Sequence, residues 1–388
     1  MEKLFDNTEV AFAIKSNAEL DRAYYLFEMI KRQPLVKIGS AVTKFALKAY
    51  LPVEGIIRVT VFDHFCGGVT EKDCMPIIDK MYTKNVHSVL DYSAEGKQVE
   101  EHFDLAMSKT LNTIKFGDEK ASIPFAVFKP TGFGKFEIYQ KITEGKELDA
   151  HEEVEWKRVV ERYDTVAKAA FEAGIPLLID AEETWMQTAA DDLIEKMMVK
   201  YNKEKVIVFG TLQLYRWDRF DYLKKLHKRA NEQGFKVGMK LVRGAYMEKE
   251  RERAEEFGYK DPICVDKDAT DKMYNDVQEY MIENIDDMAV FSGTHNEESS
   301  YLLMDLIEKH QLERNDKRIW FGQLFGMSDH ISYNSAIEGY NVAKYLPFGP
   351  VRDVMPYLIR RAEENTSVAG QTNRELELLK RERERRKI

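Results

Sequence analysis

Two rhythms of apolar and polar residues divide the chain. Up to about residue 58 the spacing is helical. Residues 18–30 place Leu20, Ala23, Tyr24, Phe27 and Ile30 three and four apart, and 41–50 continue the style. From residue 86 short apolar runs alternate with longer amphipathic ones. The runs are VHSVLDY (86–92), IPFAVFK (123–129), IPLLID (175–180), VIVFGTLQ (206–213), FKVGMKLV (235–242), MAVFSGT (288–294), RIWFGQLF (318–325) and VAKYLPF (342–348). Helical stretches such as 183–200, 269–285 and 296–309 follow them. Apolar runs of this length between helices are what parallel strands buried on both faces look like. Eight strand–helix units predict an α/β fold, a (β/α)8 barrel over residues 86–370. A mainly helical segment (1–85) precedes it and a charged helical tail (371–388) follows. Periodicity alone leaves a doubly wound parallel sheet open as the alternative.

Composition narrows the function classes. A 44% hydrophobic and 32% charged share is that of a globular chain. With 58 Lys and Arg against 67 Asp and Glu, the net charge is −9, which speaks against a surface built to neutralise nucleic-acid phosphates. The longest uncharged stretches, such as 206–215, fall short of the roughly 18 apolar residues of a membrane span. The start MEKLFDNTEV carries acids where a targeting peptide would be basic, and Cys66, Cys74 and Cys264 are scattered. These features predict a cytoplasmic protein without a disulfide framework or a metal site. No G-x-G-x-x-G after a strand, phosphate-binding loop, H-E-x-x-H helix or G-x-S-x-G elbow occurs. Any dinucleotide is therefore held without a Rossmann glycine loop.

In a barrel, chemistry gathers where strands run out into the loops that follow them. Here each strand end carries a polar or ionisable side chain. In chain order they are Asp91 with Glu95 beyond it, Lys129, Asp180 and Gln213, then Lys240 with Arg243 and Tyr246, then Thr294-His295-Asn296, Gln323 and Tyr345. Any one of these also reads as the first solvated residue of a loop. The stretch 354–365 places Tyr357, Arg360, Arg361 and Glu364 near one face of a helix. Two adjacent guanidiniums beside a tyrosine can grip a small carboxylate with bidentate geometry. The competing reading is a solvated face with an Arg360–Glu364 pair worth only about 0.3–0.5 kcal/mol. The RGAY turn (243–246) offers a phosphate site, with Arg243 supplying charge and Gly244 and Ala245 allowing close backbone approach. His295 adds a donor there, or caps the helix beginning near Asn296.

At these residues the sequence resembles the proline dehydrogenases, flavoproteins that oxidise proline in the first step of its catabolism. The resemblance spans about 86–370 and rests on LDYSAEG, VFKPTGFG, IDAEETW, TLQLYRWDR, KLVRGAY, GTHN, QLFGMSDH, YLPFG and PYLIRRAEEN in matching order. It implies a distorted (β/α)8 barrel whose last helix lies over the strand C-terminal ends, with FAD bound non-covalently and a membrane quinone as acceptor. Carried over by position, Arg360 and Arg361 are the carboxylate clamp, Lys129 a substrate contact and Asp180 its acidic partner. Tyr246, Tyr345, Tyr357, Leu241 and Phe325 would wall the substrate ring. Phe325 stands where the family often has leucine. Glu95 would pair with the arginine helix. On the cofactor side, Gln213 would meet the flavin pyrimidine edge and Lys240 the N5 region. Arg243 and His295 would meet the pyrophosphate, and Glu364 the ribityl chain. Val242, Gly244, Ala245, Thr294, Asn296 and Gln323 are neighbouring cofactor contacts.

The resemblance thus implies L-proline as substrate, FAD as cofactor, and a quinone at the inner face of the membrane as electron acceptor. A separate pyrroline-5-carboxylate dehydrogenase would take the product, since the chain reads as monofunctional. Hydroxyproline dehydrogenase is the near rival, and Tyr345 counts against it because related hydroxyproline enzymes carry a smaller residue there. A barrel lyase forming a Schiff base through Lys129 is the more distant one. A third reading is a non-enzymatic binding protein with RELELLKRERERRKI as its partner helix. That tail lacks an apolar stripe after Leu379 and reads as a solvated or frayed helix.

Overall fold

A computed structural model of the chain describes residues 3–32, 58–93, 98–367 and 369–388, with isolated positions between 33 and 57; the side chains of 360–371 are excluded. The helix expected over 41–50 lies largely outside the described residues. Eight strands are present: β1 (Val86–Tyr92), β2 (Phe125–Phe128), β3 (Leu177–Ile179), β4 (Val208–Gln213), β5 (Val237–Val242), β6 (Met288–Gly293), β7 (Ile319–Leu324) and β8 (Val342–Phe348). They close into a barrel in sequence order. Closure is carried by the parallel ladder of β1 on β8, from Val86 opposite Val342 to Tyr92 opposite Phe348. A doubly wound sheet would leave two open edges, so that alternative is excluded.

The chain forms two compact units. One comprises residues 1–95, 295–297 and 322–388, the other 96–294 and 298–321. In the second unit β2 to β6 pair in order, all parallel. Phe125 of β2 meets the rings of Phe209 on β4, Phe291 on β6 and Trp320 on β7 edge to face, at 5.9, 5.2 and 5.0 Å between centroids. These strands are not neighbours, so the rings meet in the barrel interior; Phe125, Phe209 and Phe291 come from alternate strands, as layered packing requires, and Trp320 adds to them from β7. The helix Ala150–Ala173 starts where Asp149 accepts from the His151 and Glu152 backbones, and it stops at Gly174 in the left-handed region (φ 69°).

In the first unit the helix Asn17–Ile30 opens with a Ser16–Glu19 capping box. It packs on the C-terminal helix Ala369–Arg386. The solvated tail expected from the sequence is corrected here: Leu376, Leu378 and Leu379 lie in one buried cluster with Leu20, Phe27 and Leu358. The charges that suggested solvation are paired. Fully buried Glu382 accepts from Arg385 (2.8 Å) and Arg386 (2.6 Å), and Arg386 also donates to the Phe12 and Lys15 carbonyls (2.9 and 2.7 Å).

Candidate functional site

Within the second unit, the expected polar residues do sit where strands end. Lys129 is half-buried directly after β2, with extended backbone (φ −104°, ψ 139°), and a short 3₁₀ turn, Pro130–Gly132, follows. Asp180 directly follows β3, and its N–H donates to the Phe128 carbonyl (3.0 Å). Its carboxylate forms an ion pair with the buried ammonium of Lys240 on β5. Strand β4 lies between β3 and β5, so the pair reaches across one strand. The resemblance implied Lys129 as a partner of Asp180; the described ion pair of Asp180 is with Lys240. Strand alternation sends Leu241, itself fully buried, off the opposite face of β5 from Lys240.

Gln213, the last residue of β4, is buried and donates from Nε2 to the Glu182 carbonyl at 2.8 Å. That partner fixes the amide orientation, since two oxygens would repel, and leaves Oε1 as an acceptor for an N–H group. Glu182 itself escaped the sequence reading. Its carboxylate accepts from the Thr131 backbone N–H (2.8 Å) and from Thr131 Oγ1 (2.7 Å), while its own N–H donates to Gln187 Oε1 (2.7 Å). Burial pushes the Glu182 carboxyl up to about 7, against the Thr131 bonds and the Lys129 charge, which pull it down; neighbouring Glu183 adds to the rise. Glu183 is buried and ion-paired with Lys249. The available signal was the acid run directly after strand three in IDAEETW.

The RGAY turn is tightly built. Arg243 donates through Nε to Asp271 (2.7 Å), through Nη1 to Thr294 Oγ1 (2.8 Å) and through Nη2 to Ser299 Oγ (3.0 Å), and it stacks 4.5 Å over the Tyr274 ring. Burial would raise the Asp271 carboxyl, but Lys267 and Arg243 hold it below its ordinary value. Gly244 has φ +133°, and a Cβ there would lie 2.5 Å from the Tyr215 ring, so only glycine fits. Val242 and Ala245 flank this turn half-buried, and Tyr246 stands at the start of the helix Met247–Phe257.

The first unit carries the remaining positions. His295 Nδ1 lies 2.9 Å from Ser328 Oγ, and the Ser328 N–H donates to Glu375 of the C-terminal helix (3.1 Å). Ser328 is in the left-handed region (φ 50°), which a non-glycine residue adopts only at a cost. Gln323 on β7 is buried and accepts from Ser332 Oγ at 2.8 Å. The Phe325 N–H donates to the Tyr345 carbonyl (2.8 Å), and Phe325, Tyr345 and Tyr357 are all buried. Asn296 is half-buried. Glu297 beside it bridges His330 (3.1 Å) and Arg374 (2.6 Å); burial would raise its carboxyl, but those partners bring it down to about 2. Glu95 lies outside the described residues. Arg360, Arg361 and Glu364 fall on the helix Val351–Ser367, where their side chains also lie outside the description.

Comparison with known proteins places the chain in a family. A family model described as proline dehydrogenase matches residues 74–374. The carbapenem antibiotics biosynthesis protein CarD of Pectobacterium carotovorum subsp. carotovorum is 35% identical over 345 residues, 89% of either chain. Mitochondrial proline dehydrogenase 1 of Homo sapiens is 42% identical over 231 residues, 59% of this chain but 38% of that one. Among solved structures, proline utilization A (PutA) from Bdellovibrio bacteriovorus, inactivated by N-propargylglycine, superposes with a TM-score of 0.72 at 20% identity. That match covers 97% of this chain and 38% of the longer one, and at such identity it speaks to the fold alone.

Proposed function

Since the chain belongs to the proline dehydrogenase family, we propose that it oxidises L-proline to 1-pyrroline-5-carboxylate with FAD as the cofactor and a membrane quinone as final acceptor. The observation that carries the reading is the set of polar groups gathered at the ends of β4 and β5. Gln213 offers a carbonyl oxygen to an imide N–H, Lys240 supplies a desolvated cation, and Arg243 and Gly244 form a charged turn with exposed backbone. These groups suit a flavin, with its N–H edge, electron-accepting ring and pyrophosphate. When bound, FAD would supply the two-electron acceptor for a hydride leaving proline C5.

The protein's own residues have three tasks in this reading. Arg360 and Arg361 take the carboxylate in a two-point grip, which orients the ring and converts binding into alignment. Tyr345, Tyr357 and Phe325 supply aromatic surface that excludes water around the ring. Lys129 and the Asp180–Lys240 pair set the local field so that the substrate amine reacts neutral, because a protonated nitrogen has no lone pair to drive hydride departure. Loss of one N–H proton to water and of a hydride from C5 leaves the C=N bond of the product, so atoms and electrons balance. Among the described residues no helix is long and apolar enough to cross a membrane. Quinone reduction is assigned, from the family resemblance, to contact at a membrane surface, and a pyrroline-5-carboxylate dehydrogenase would consume the product.

Anaerobic titration tests the reading. Purified protein should be yellow, and its flavin absorbance should bleach with L-proline. Bleaching with hydroxyproline but not proline would replace the substrate. Colourless protein trapped by borohydride with an aldehyde would replace the reaction with the Lys129 lyase.

A further inference from the structure

One residue ties together the ends of three neighbouring strands. Thr131 is separated from Lys129 only by Pro130, and the turn is closed by Gly132 N–H donating to the Lys129 carbonyl (2.9 Å) and Phe133 N–H to the Pro130 carbonyl (2.9 Å). The Glu182 carboxylate holds this turn by two separate bonds, one to the Thr131 backbone and one to its hydroxyl. Two residues before Glu182 on the same loop stands Asp180, whose ion pair reaches Lys240 on β5. The carbonyl of the same glutamate takes the amide of Gln213 at the end of β4. Lys129, Asp180 and Gln213 are thus all referred to a single side chain and its peptide.

A buried carboxyl at a barrel's strand ends costs free energy unless something recovers it. Here the Thr131 bonds recover part of it, and the charged or titratable groups acting on Glu182 are Lys129, Glu183 with its Lys249 partner, Tyr139 and Tyr163. A purely structural link between two loops could be made by neutral side chains at less cost. We infer that Glu182 is a positioning residue for the dehydrogenase reaction: by pinning Thr131 it sets where Lys129 stands relative to Asp180, and it acts on substrate binding through that lysine. The inference rests on the proposed reading of the site and adds to it a residue that acts through Lys129.

The experiment compares wild type with Thr131→Val, Glu182→Gln and the double variant. It reads kcat and KM for L-proline together with bound flavin by its absorbance. Thr131→Val removes one hydrogen bond to the Glu182 carboxyl with little change of shape, a loss that corresponds to about three- to tenfold in KM. kcat should stay within about threefold and flavin content should not change. The hydroxyl bond lost in Thr131→Val is one of the two that Glu182→Gln perturbs, so the losses should overlap and the double variant should fall clearly short of their sum. Unchanged KM in the folded Thr131→Val protein would overturn the inference, as would additive losses in the double variant or equal falls in kcat and flavin content. If Glu182→Gln does not fold, Thr131→Val decides alone. Failure of wild type to bleach with proline would instead remove the functional reading itself.

Discussion

Asp329 offers a prediction whose size follows from its surroundings. Its Oδ1 lies 2.6 Å from Lys344 Nζ and its Oδ2 3.0 Å from Lys15 Nζ; the carboxylate is 6% exposed and the Lys344 side chain 1%. Lys344 also donates to the Met327 carbonyl (2.6 Å). Burial alone would raise the Asp329 carboxyl, but the two ammoniums override it and hold it far below the ordinary carboxylate range. Asp329→Asn leaves the buried Lys344 and the half-buried Lys15 without their shared anion, a change that costs about 3–5 kcal/mol. Against a native stability of about 5–15 kcal/mol that is a large fraction. Urea unfolding followed by circular dichroism should show the midpoint lowered by about 1 M or more. Adding Lys344→Met should restore part of the loss, because an apolar side chain has no charge to leave unpaired. Since the folded carboxyl titrates below its unfolded value, its contribution is present above about pH 4 and is lost as pH falls further. An Asp329→Asn protein within about 1 kcal/mol of wild type, or a double variant no steadier than the single one, would refute the reasoning.

Three other outcomes are expected. Gly244→Ala puts a Cβ against the Tyr215 ring and an alanine at φ +133°, so the RGAY turn must shift and flavin should co-purify at a much reduced ratio, read from the protein-to-flavin absorbance. Glu182 has a folded value near 7 against an ordinary 4.5, so the folded state holds the extra proton and stability should fall as pH rises from about 4.5 to 7. Thermal melts should show that slope in wild type and lose it in Glu182→Gln. Arg361→Met should raise KM for L-proline steeply with flavin content near normal in steady-state assays; unchanged proline affinity would remove the clamp assignment.

The barrel was legible because buried parallel strands must be apolar along their whole length. The runs at 86–92 and 342–348 coincide with β1 and β8, and 288–294 overruns β6 by one residue. The runs at 123–129 and 175–180 overrun further because each opens with Ile-Pro, and a proline without an N–H cannot donate to the ladder. Positions at strand ends were legible for the same reason, as breaks in apolar runs. Pairing was not: Asp180 finds Lys240 because the closed sheet brings β3 and β5 round towards each other, a relation that no local spacing encodes. The C-terminal helix misled because a dense mixture of charges looks like a solvated face, whereas here Arg374, Arg383 and Arg386 reach Asp6 (2.5 Å), Asp21 (2.7 Å) and the Lys15 carbonyl (2.7 Å). Glu182 stayed hidden because its value lies in burial, and burial of a glutamate is invisible until the loops around it have folded.

Those contacts between the two ends of the sequence bear on how the molecule comes into being. The unit of 1–95, 295–297 and 322–388 is knitted from pieces hundreds of positions apart, and the stretch from 369 to 386 holds its opening residues. On the ribosome, residues 96–294 can begin to collapse as they emerge, but the earliest-made segment must wait for the latest-made one. Until then Phe12, Leu20 and Phe27 have no lasting cover, and a chaperone would have most to do during that interval.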